Sequence, residues 1–285
     1  MSKLFGIIGL GYISSRHIQA ISDTNNRLVL GLNPTDEFTV SLPQDVSIIT
    51  SEETFFSELK KLGAGYVSIC SPSHLHVQHI IKSLRAGCHV IVEKPICLTS
   101  SELADIQRAE SETMNQVFSI YQLRFHPLAS LITAFADTKH ADIELSYRGN
   151  RNIDYLNSWK GNVGLSGGIF AAVGLHYFDL LLNSFGKVEQ IETVFNSHLS
   201  SVGSLNLSRA AVKWNFEFVP TEEQKIDVER TIFINGQSIN LSAYSQDLHT
   251  VAYEQIFKGN GVETKHVEEL IALLESVNHF SSSNR

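Results

Sequence analysis

The feature that most restricts this chain is a glycine turn set between two periodicities at its N-terminal end. Leu4–Ile8 is a short apolar run, Gly9-Leu10-Gly11-Tyr12-Ile13-Ser14 follows, and Ile13–Ile21 reads at helical spacing. A lone G-x-G-x-x-G carries little weight. Between a strand and a helix it predicts a pyrophosphate-binding turn. Gly9 permits the tight turn, and Gly11 lets the backbone approach an anion lying on the helix N-terminus, where free N–H groups and the dipole favour negative charge. Ser14 replaces the third glycine and is still small enough for close helix–strand packing. The competing reading is a glycine turn that holds no ligand. The position at the head of a long strand–helix alternation weighs against it.

That alternation runs for about 120 residues. Leu28–Leu32 is a second apolar run. Thr50 and Glu53 have the spacing of a capping box and open a helix through Leu62. Tyr66–Cys70 is strand-like, His74–Ala86 carries one apolar helical face, and Cys88–Val92 is a strand. Thr99 and Glu102 form a second box before a helix reaching Met114, and Val117–Tyr121 closes the series. Strands alternating with helices predict a parallel, doubly wound sheet. After Tyr121 the texture changes to longer alternating segments, Ala141–Tyr147, Val188–Phe195, Leu205–Phe218, Lys225–Phe233 and Ser238–Leu241. They are interrupted by a glycine-rich loop at Gly161–Gly168 and an apolar helix through Leu182, and followed by helices near Thr250–Phe257 and Glu263–Val277. The expectation is an α/β Rossmann domain over 1–120 and an α+β domain with an open, mostly antiparallel sheet over 121–285. At 285 residues the chain is long enough for two cores.

The formal net charge of −8, with no basic patch, argues against nucleic-acid binding. No signal peptide is read at the N-terminus, and no apolar stretch is read as reaching the roughly 18–20 residues of a membrane span. Cys70, Cys88 and Cys97 contain no C-x-x-C pair, so reduced buried thiols are expected in a cytoplasmic protein. No metal site is expected, because no H-x-x-x-H pair or cysteine cluster is present.

Three further positions carry chemistry. Asn33 stands at the end of the second strand, where an acidic residue would hold an adenosine ribose, with Asp36 close by. With no arginine in this turn to hold a 2′-phosphate, NAD is favoured over NADP. Glu93-Lys94-Pro95 ends a strand of the first sheet, at the edge where open α/β sheets bind ligands. Gly174-Leu175-His176-Tyr177-Phe178-Asp179 begins an apolar helix, and His176 is a candidate general base because imidazole titrates near neutrality. The bland alternatives are a surface lysine beside a turn proline and a satisfied core histidine. For Trp159, core packing is as good a reading as contact with a ligand.

Taken in order and spacing, Gly9-x-Gly11, Ser71-Pro72 with His76, Glu93-Lys94-Pro95 and Gly174-x-His176-x-x-Asp179 resemble the glucose-fructose oxidoreductase/inositol dehydrogenase (Gfo/Idh/MocA) family over nearly the whole chain. Tyr66–Pro72, Leu84–Pro95, Gln122-Leu123-Arg124, Tyr155–Gly161 and the run from Asp247-Leu248-His249 to Tyr253-Glu254 carry a closer likeness to bacterial UDP-N-acetylglucosaminuronate 3-dehydrogenases of surface-polysaccharide synthesis. The resemblance implies two domains and NAD held by Gly9, Gly11, Tyr12, Ile13, Asn33, Cys70, Ser71, Pro72, His76, Glu93, Lys94 and Gln122. It implies oxidation of a sugar hydroxyl, at C3 in the subgroup, with Lys94 and His176 catalytic and with Lys94, Arg124, Tyr155, Trp159, Lys160, His176 and Asp179 on the substrate. It also implies a homo-oligomer, dimer or tetramer, built through the open sheet faces, and reoxidation of NADH by 2-oxoglutarate. Two departures stand out. Ala172 occupies the place, four before the helix histidine, where the family has Asp or Asn, and the loop before it, Asn162-Val163-Gly164-Leu165, lacks cationic residues that could hold a uronate carboxylate. A free polyol or aldose dehydrogenase, or an NAD-binding protein without turnover, therefore stay open. So does the question of whether Lys94 or His176 is the base.

Overall fold

In a computed structural model the chain is described at all residues except 1, 36, 39, 138–139, 223–228, 242–246 and 284–285. It divides into two compact units. The first is Met1–Gln122 with Gln246–His266, and the second is Leu123–Ser245 with Val267–Arg285.

The first unit contains β1 (Leu4–Ile8), α1 (Ser14–Asp23), β2 (Arg27–Leu32), β3 (Ser47–Ile49), α2 (Glu52–Leu62), β4 (Tyr66–Ile69), α3 (His76–Arg85), β5 (His89–Val92), α4 (Ser100–Thr113) and β6 (Val117–Ser119). The six strands are all parallel, in the order β3-β2-β1-β4-β5-β6. Phe5, Ile7, Val67, Ile69, Val90 and Ile91 are fully buried, as strands covered on both faces require. The order reverses between β1 and β4, so the turns after these two strands flank the crevice where such sheets take ligands. Three-residue β3 is too short to show a period and was not expected. Of the two expected capping boxes, Thr99–Glu102 forms in both directions at α4. At α2 the cap is Ser51 instead of Thr50, its hydroxyl accepting from Thr54 N, so the helix starts one residue later.

The second unit holds α5 (Ala129–Ala136), β7 (Ala141–Asn152), α6 (Ile153–Asn157), α7 (Val163–Ser166), α8 (Leu175–Phe185), β8 (Val188–Asn196), β9 (Ser200–Leu207), β10 (Ala210–Thr221), β11 (Glu229–Ile234) and β12 (Gln237–Asn240). Its sheet runs β12-β11-β7-β10-β9-β8. It is antiparallel except at its centre, where β7 and β10 pair in parallel over twelve residues. Both central strands alternate strictly. Ile143, Leu145, Tyr147, Val212, Trp214 and Phe216 face the core, while Asp142, Glu144, Arg148, Lys213 and Glu217 face out. The expected single run Leu205–Phe218 is a hairpin, bent at Ser208-Arg209. That two-residue turn has none of the Gly or Asn that usually marks one. Of the expected run Lys225–Phe233, the part before Glu229 lies outside the described residues.

Phe170–Gly174 forms a π-helical turn between α7 and α8. The helical stretch Val163–Phe185 is long and apolar enough to cross a bilayer, which corrects the expectation that no segment reaches that length. Its most apolar window is 78% buried inside the protein, as a core helix is.

The chain then returns to the first unit as α9 (Leu248–Phe257), which packs on α1, before α10 (Glu268–Ser283) ends the second. Residues 246–266 were expected with the second domain. They join the first because Tyr253, Ile256 and Val262 bury their side chains there, and because Ser119 N donates to Val262 O.

Candidate active site

The glycine turn stands where the sequence places it. Gly9 has φ +87°, and a Cβ there would lie 2.8 Å from Ser71 N and 2.9 Å from Cys70 C. The turn therefore has to be glycine both for its left-handed backbone and because the loop leaving β4 lies against it. Gly11 is different, since a Cβ there would meet no protein atom within 4 Å. Packing does not demand a glycine at that place, whereas close approach by a phosphate would. Ser14, fully buried, donates its hydroxyl to Gly11 O at 2.6 Å and so tightens the turn. The first turn of α1 has no side-chain cap and no acidic residue, so its dipole favours an anion there, although Ser14 N and Arg16 N already donate to Gly11 O and Ile13 O. Ile13 is the half-buried cap residue, and Tyr12 is 81% exposed beside the turn.

Asn33 ties the end of β2 to this turn. Its Oδ1 accepts from Leu10 N at 3.2 Å, and its Nδ2 donates to Thr35 O at 2.8 Å and Glu37 O at 3.3 Å. Asp36 lies outside the described residues. Beyond β4, Cys70 and Ser71 are buried and Pro72 is half-buried. Burial pushes the Cys70 thiol well above its ordinary value, so it remains a neutral thiol. Ser71 Oγ bonds to His79 Nδ1 at 2.9 Å. His76 is almost fully buried, with its two ring nitrogens 2.7 Å from Pro95 O and 2.8 Å from Ser71 O. The histidine expected to touch cofactor thus pins two loops, the one after β4 and the one after β5. Burial lowers its proton affinity.

Glu93-Lys94-Pro95 leaves β5, with a cis bond between Lys94 and Pro95. Lys94 is half-buried. The Glu93 carboxylate is buried beneath it and is held from three sides. Oε1 accepts from His17 Nε2 at 3.1 Å and from His249 Nε2 at 2.9 Å, and Oε2 accepts from Lys94 N at 3.2 Å. Burial alone would raise the Glu93 pKa; these two imidazoles overcome that and hold it well below its ordinary value. The two histidines play different parts. Burial lowers His17, so it donates as a neutral ring, and its Nδ1 accepts from Tyr253 Oη at 2.8 Å. Tyr253 accepts in turn from Ser68 Oγ at 2.7 Å. His249 is raised to about 9, with burial opposing and the carboxylates of Asp247 and Glu93 prevailing. Asp247 also caps α9 through His249 N and pairs with Arg16 on α1 at 2.8 Å. Three ligand-type atoms, on His17, Glu93 and His249, lie within 4.8 Å of one another. A charged His249, a neutral His17 and an ionised Glu93 complete this pattern by hydrogen bonds alone.

In the second unit Asn196 holds the start of the π-helical turn. Its Oδ1 accepts from Phe170 N and its Nδ2 donates to Gly167 O. Ala172 lies within this turn, and half-buried His176 follows it in the first turn of α8. Arg124 and Asp179, both read as substrate contacts, bind each other. Arg124 donates from Nε at 2.8 Å and from a terminal nitrogen at 2.7 Å to the two Asp179 oxygens. Burial pushes Asp179 up to about 6 despite this fork, so the pair is ionised at neutral pH. Gln122 is half-buried at the start of a short turn in the same stretch of chain as Arg124. At the end of β7, the Arg151 guanidinium lies 4.2 Å from the Phe218 ring centroid and 5.0 Å from that of Tyr155. Lys160 Nζ lies 4.9 Å from Tyr155 and 5.7 Å from Trp159.

Residues 3–121 match the family model described as an oxidoreductase family with an NAD-binding Rossmann fold. A solved structure of the WlbA (WbpB) dehydrogenase from Thermus thermophilus, in complex with NAD and UDP-GlcNAcA, is 30% identical, with a TM-score of 0.86 over 96% of this chain and 94% of that one. The chain belongs to the Gfo/Idh/MocA oxidoreductase family. The same Thermus protein with NAD and alpha-ketoglutarate has a TM-score of 0.85, again at 30% identity, over 96% of this chain and 95% of that one. Among curated relatives, the scyllo-inositol 2-dehydrogenase (NADP(+)) IolW of Bacillus subtilis is 29% identical over 130 residues, 44% of this chain and 36% of its own. The chain thus spans about a third of that relative's length. The cofactor of this family fold is NAD, as expected. The open front of Gly11 and the uncapped N-terminus of α1 suit its pyrophosphate.

Sequence reasoning missed Ser68, His17 and the role of His249 and Tyr253, because the network assembles positions up to 236 residues apart. The run from Asp247 to Tyr253 was noted for likeness, not for chemistry. It also missed Arg151, whose position at the β7–α6 junction was visible only as four residues before Tyr155.

Proposed function

We propose that this Gfo/Idh/MocA protein is an NAD-dependent dehydrogenase that oxidises a sugar hydroxyl to a ketone. The reading extends to C3 of a UDP-N-acetyl-hexosamine or its uronate, in surface-polysaccharide synthesis in the cytoplasm. The observation that carries it is the environment of Glu93-Lys94. A buried carboxylate fixed by two histidines holds the backbone N–H of Lys94, and thereby the start of its side chain, at the exit of β5. Bound NAD supplies the hydride acceptor. The protein's own share is orientation and proton handling. Gly9, Gly11 and the α1 N-terminus would hold the pyrophosphate, with Asn33 at the ribose. Lys94 and His176 would share the substrate hydroxyl, one donating a hydrogen bond to the developing alkoxide and the other taking its proton. Trp159, Tyr155 and Lys160 would hold the sugar nucleotide. The Arg124–Asp179 pair would brace the face of α8 that carries His176. The domain division at about residue 120, a homo-oligomer and reoxidation of NADH by 2-oxoglutarate are parts of the same proposal, and crystallisation of the Thermus relative with alpha-ketoglutarate supports the last.

A free polyol or aldose remains the second reading. It is favoured by the inositol-dehydrogenase relative and by Arg124 being engaged on Asp179. The test is turnover followed at the NADH absorbance with UDP-GlcNAcA, UDP-GlcNAc, myo-inositol and glucose. Lys94→Ala and His176→Asn should each lower kcat by 10²-fold or more, about 3 kcal/mol, with NAD still bound. Full turnover in both variants would overturn the assignment. NAD binding without turnover on any sugar would favour the non-catalytic reading that Ala172 raises.

A further inference from the structure

Ser71, at the exit of β4, forms one wall of the glycine turn, with its N 2.8 Å and its Cα 2.9 Å from where a Gly9 Cβ would lie. Three other residues fix the polarity of its hydroxyl. Glu52 begins α2 and is bound by Lys82 of α3, the main cause that holds its carboxyl below the ordinary value. An ionised carboxylate only accepts, so the His79 nitrogen facing it, Nε2 at 3.4 Å, carries a proton. Burial lowers the proton affinity of His79 against the pull of Glu52, and the ring is neutral at pH 7. Its Nδ1 therefore holds a lone pair, and the Ser71 hydroxyl 2.9 Å away donates to it. With that proton committed, the Ser71 oxygen has only lone pairs left to offer. Ser71 and His79 are both buried, whereas Lys82 is exposed. A staple between α2 and α3 needs Glu52 and Lys82 alone. It does not need an imidazole set against the loop beside Gly9.

We propose that His79 is a positioning residue for the cofactor, acting through Ser71. Held as a single tautomer by Glu52, it takes the Ser71 proton and leaves the hydroxyl oxygen as an acceptor for a hydroxyl or amide proton of bound NAD. The inference rests on the cofactor alone and stands whichever sugar is the substrate. NAD offers two kinds of donor, its ribose hydroxyls and its nicotinamide carboxamide. Charging the ring would reverse the bond. Nδ1 would then donate, and the Ser71 proton would turn away from His79. The groups facing His79 are Glu52 of α2 and Lys82 and His76 of α3. His76 is itself lowered by burial, and it titrates in parent and variants alike.

Calorimetric titrations of NAD and of ADP-ribose into the full chain test this. Ser71→Ala and His79→Leu should each weaken NAD by about fivefold. The double variant should bind no more weakly than either single one, because both changes remove the same contact. His79→Asn puts an amide oxygen near the place of Nδ1 and should restore most of the affinity. Between pH 7 and 5.5 the parent should lose more affinity than His79→Asn, which does not titrate, whereas a merely structural histidine would give the two parallel profiles. Equal losses with ADP-ribose assign a ribose hydroxyl, and losses with NAD alone assign the carboxamide. Glu52→Gln, at a half-buried position, is the second arm if His79→Leu fails to fold. It frees the tautomer and should weaken NAD by about two- to threefold. Additive losses in the double variant, unchanged affinity in His79→Leu or Glu52→Gln, or parallel pH profiles overturn the assignment. Absence of NADH from every sugar, with these binding results intact, would overturn the dehydrogenase and leave His79 in its role.

Discussion

Two glycines of one turn make opposite demands, and each can be tested by adding a single carbon. Gly9 combines a positive φ with backbone atoms 2.8–2.9 Å from where a Cβ would be. Gly9→Ala should therefore cost about 1–3 kcal/mol of stability and cofactor affinity as well, because the loop holding Ser71 must shift. Gly11 is hemmed in by nothing. Gly11→Ala should leave stability within about 0.5 kcal/mol while weakening NAD tenfold or more, about 1.4 kcal/mol. Urea melts and NAD titrations on the two variants separate a glycine needed by the fold from one needed by the ligand. An unchanged NAD affinity in Gly11→Ala would remove the turn from the cofactor site. At this scale the sequence was most legible where chemistry is local. Gly9, Gly11 and the Thr99–Glu102 box depend on neighbours in the chain. It was least legible where a side chain's partner is remote. The bond between Arg124 and Asp179, 55 residues apart, and the two carbonyl partners of His76 left no mark in the local sequence.

Elements were legible in proportion to their length and to the turn chemistry at their ends. The helices of the first unit follow their apolar periods, whereas β3, with three residues, has no period, and the β9–β10 turn has no glycine to announce it. The π-helical turn ahead of α8 was invisible because Phe170-Ala171-Ala172-Val173-Gly174 is an ordinary apolar helix by composition. Its glycine has a tertiary cause. A Cβ at Gly174 would lie 2.9 Å from the Phe216 ring and 3.1 Å from that of Phe170, so the start of α8 touches β10 through backbone. π-turns of this kind often accompany functional sites, and this one directly precedes the first turn of α8, which carries His176. Gly174→Ala should push the start of α8 off the sheet at a cost of about 1–3 kcal/mol. In turnover assays the damage should fall on kcat, with NAD affinity unchanged, because the turn belongs to the second unit. A parallel loss of NAD binding would contradict that separation.

For the whole molecule, the fact the sequence did not disclose is that each unit is made from two stretches of chain, and electrostatics help fasten the second stretch of the first unit. Asp247 and His249 come from the returning segment, Arg16 and His17 from α1, and Glu93 from the end of β5. The resulting ladder titrates, and its sign follows from the shifts. His249 is raised to about 9 in the folded protein from an ordinary 6.5. Its contribution is complete below pH 6.5 and is lost as pH climbs through 9, a change on the order of 3 kcal/mol. Glu93 and Asp247 are lowered, so theirs is present above their ordinary 4.5 and 3.8 and is lost only on acidification. His17, His76 and His79 are also lowered, chiefly by burial, so below pH 6.5 the unfolded chain gains protons that the fold resists. Tyr253 is raised and stays protonated, and the raised thiols of Cys70 and Cys88 matter only above their ordinary 9. Stability should therefore peak near pH 6.5, with an acid limb owed to several groups and an alkaline limb between 6.5 and 9 owed to His249. His249→Gln keeps a donor for Glu93 but cannot titrate. Denaturant melts at pH 5 to 9 should show its alkaline limb flattened and its acid limb intact. If the slope above pH 6.5 survives that substitution, the imidazolium between Glu93 and Asp247 is not what holds the returning segment in place.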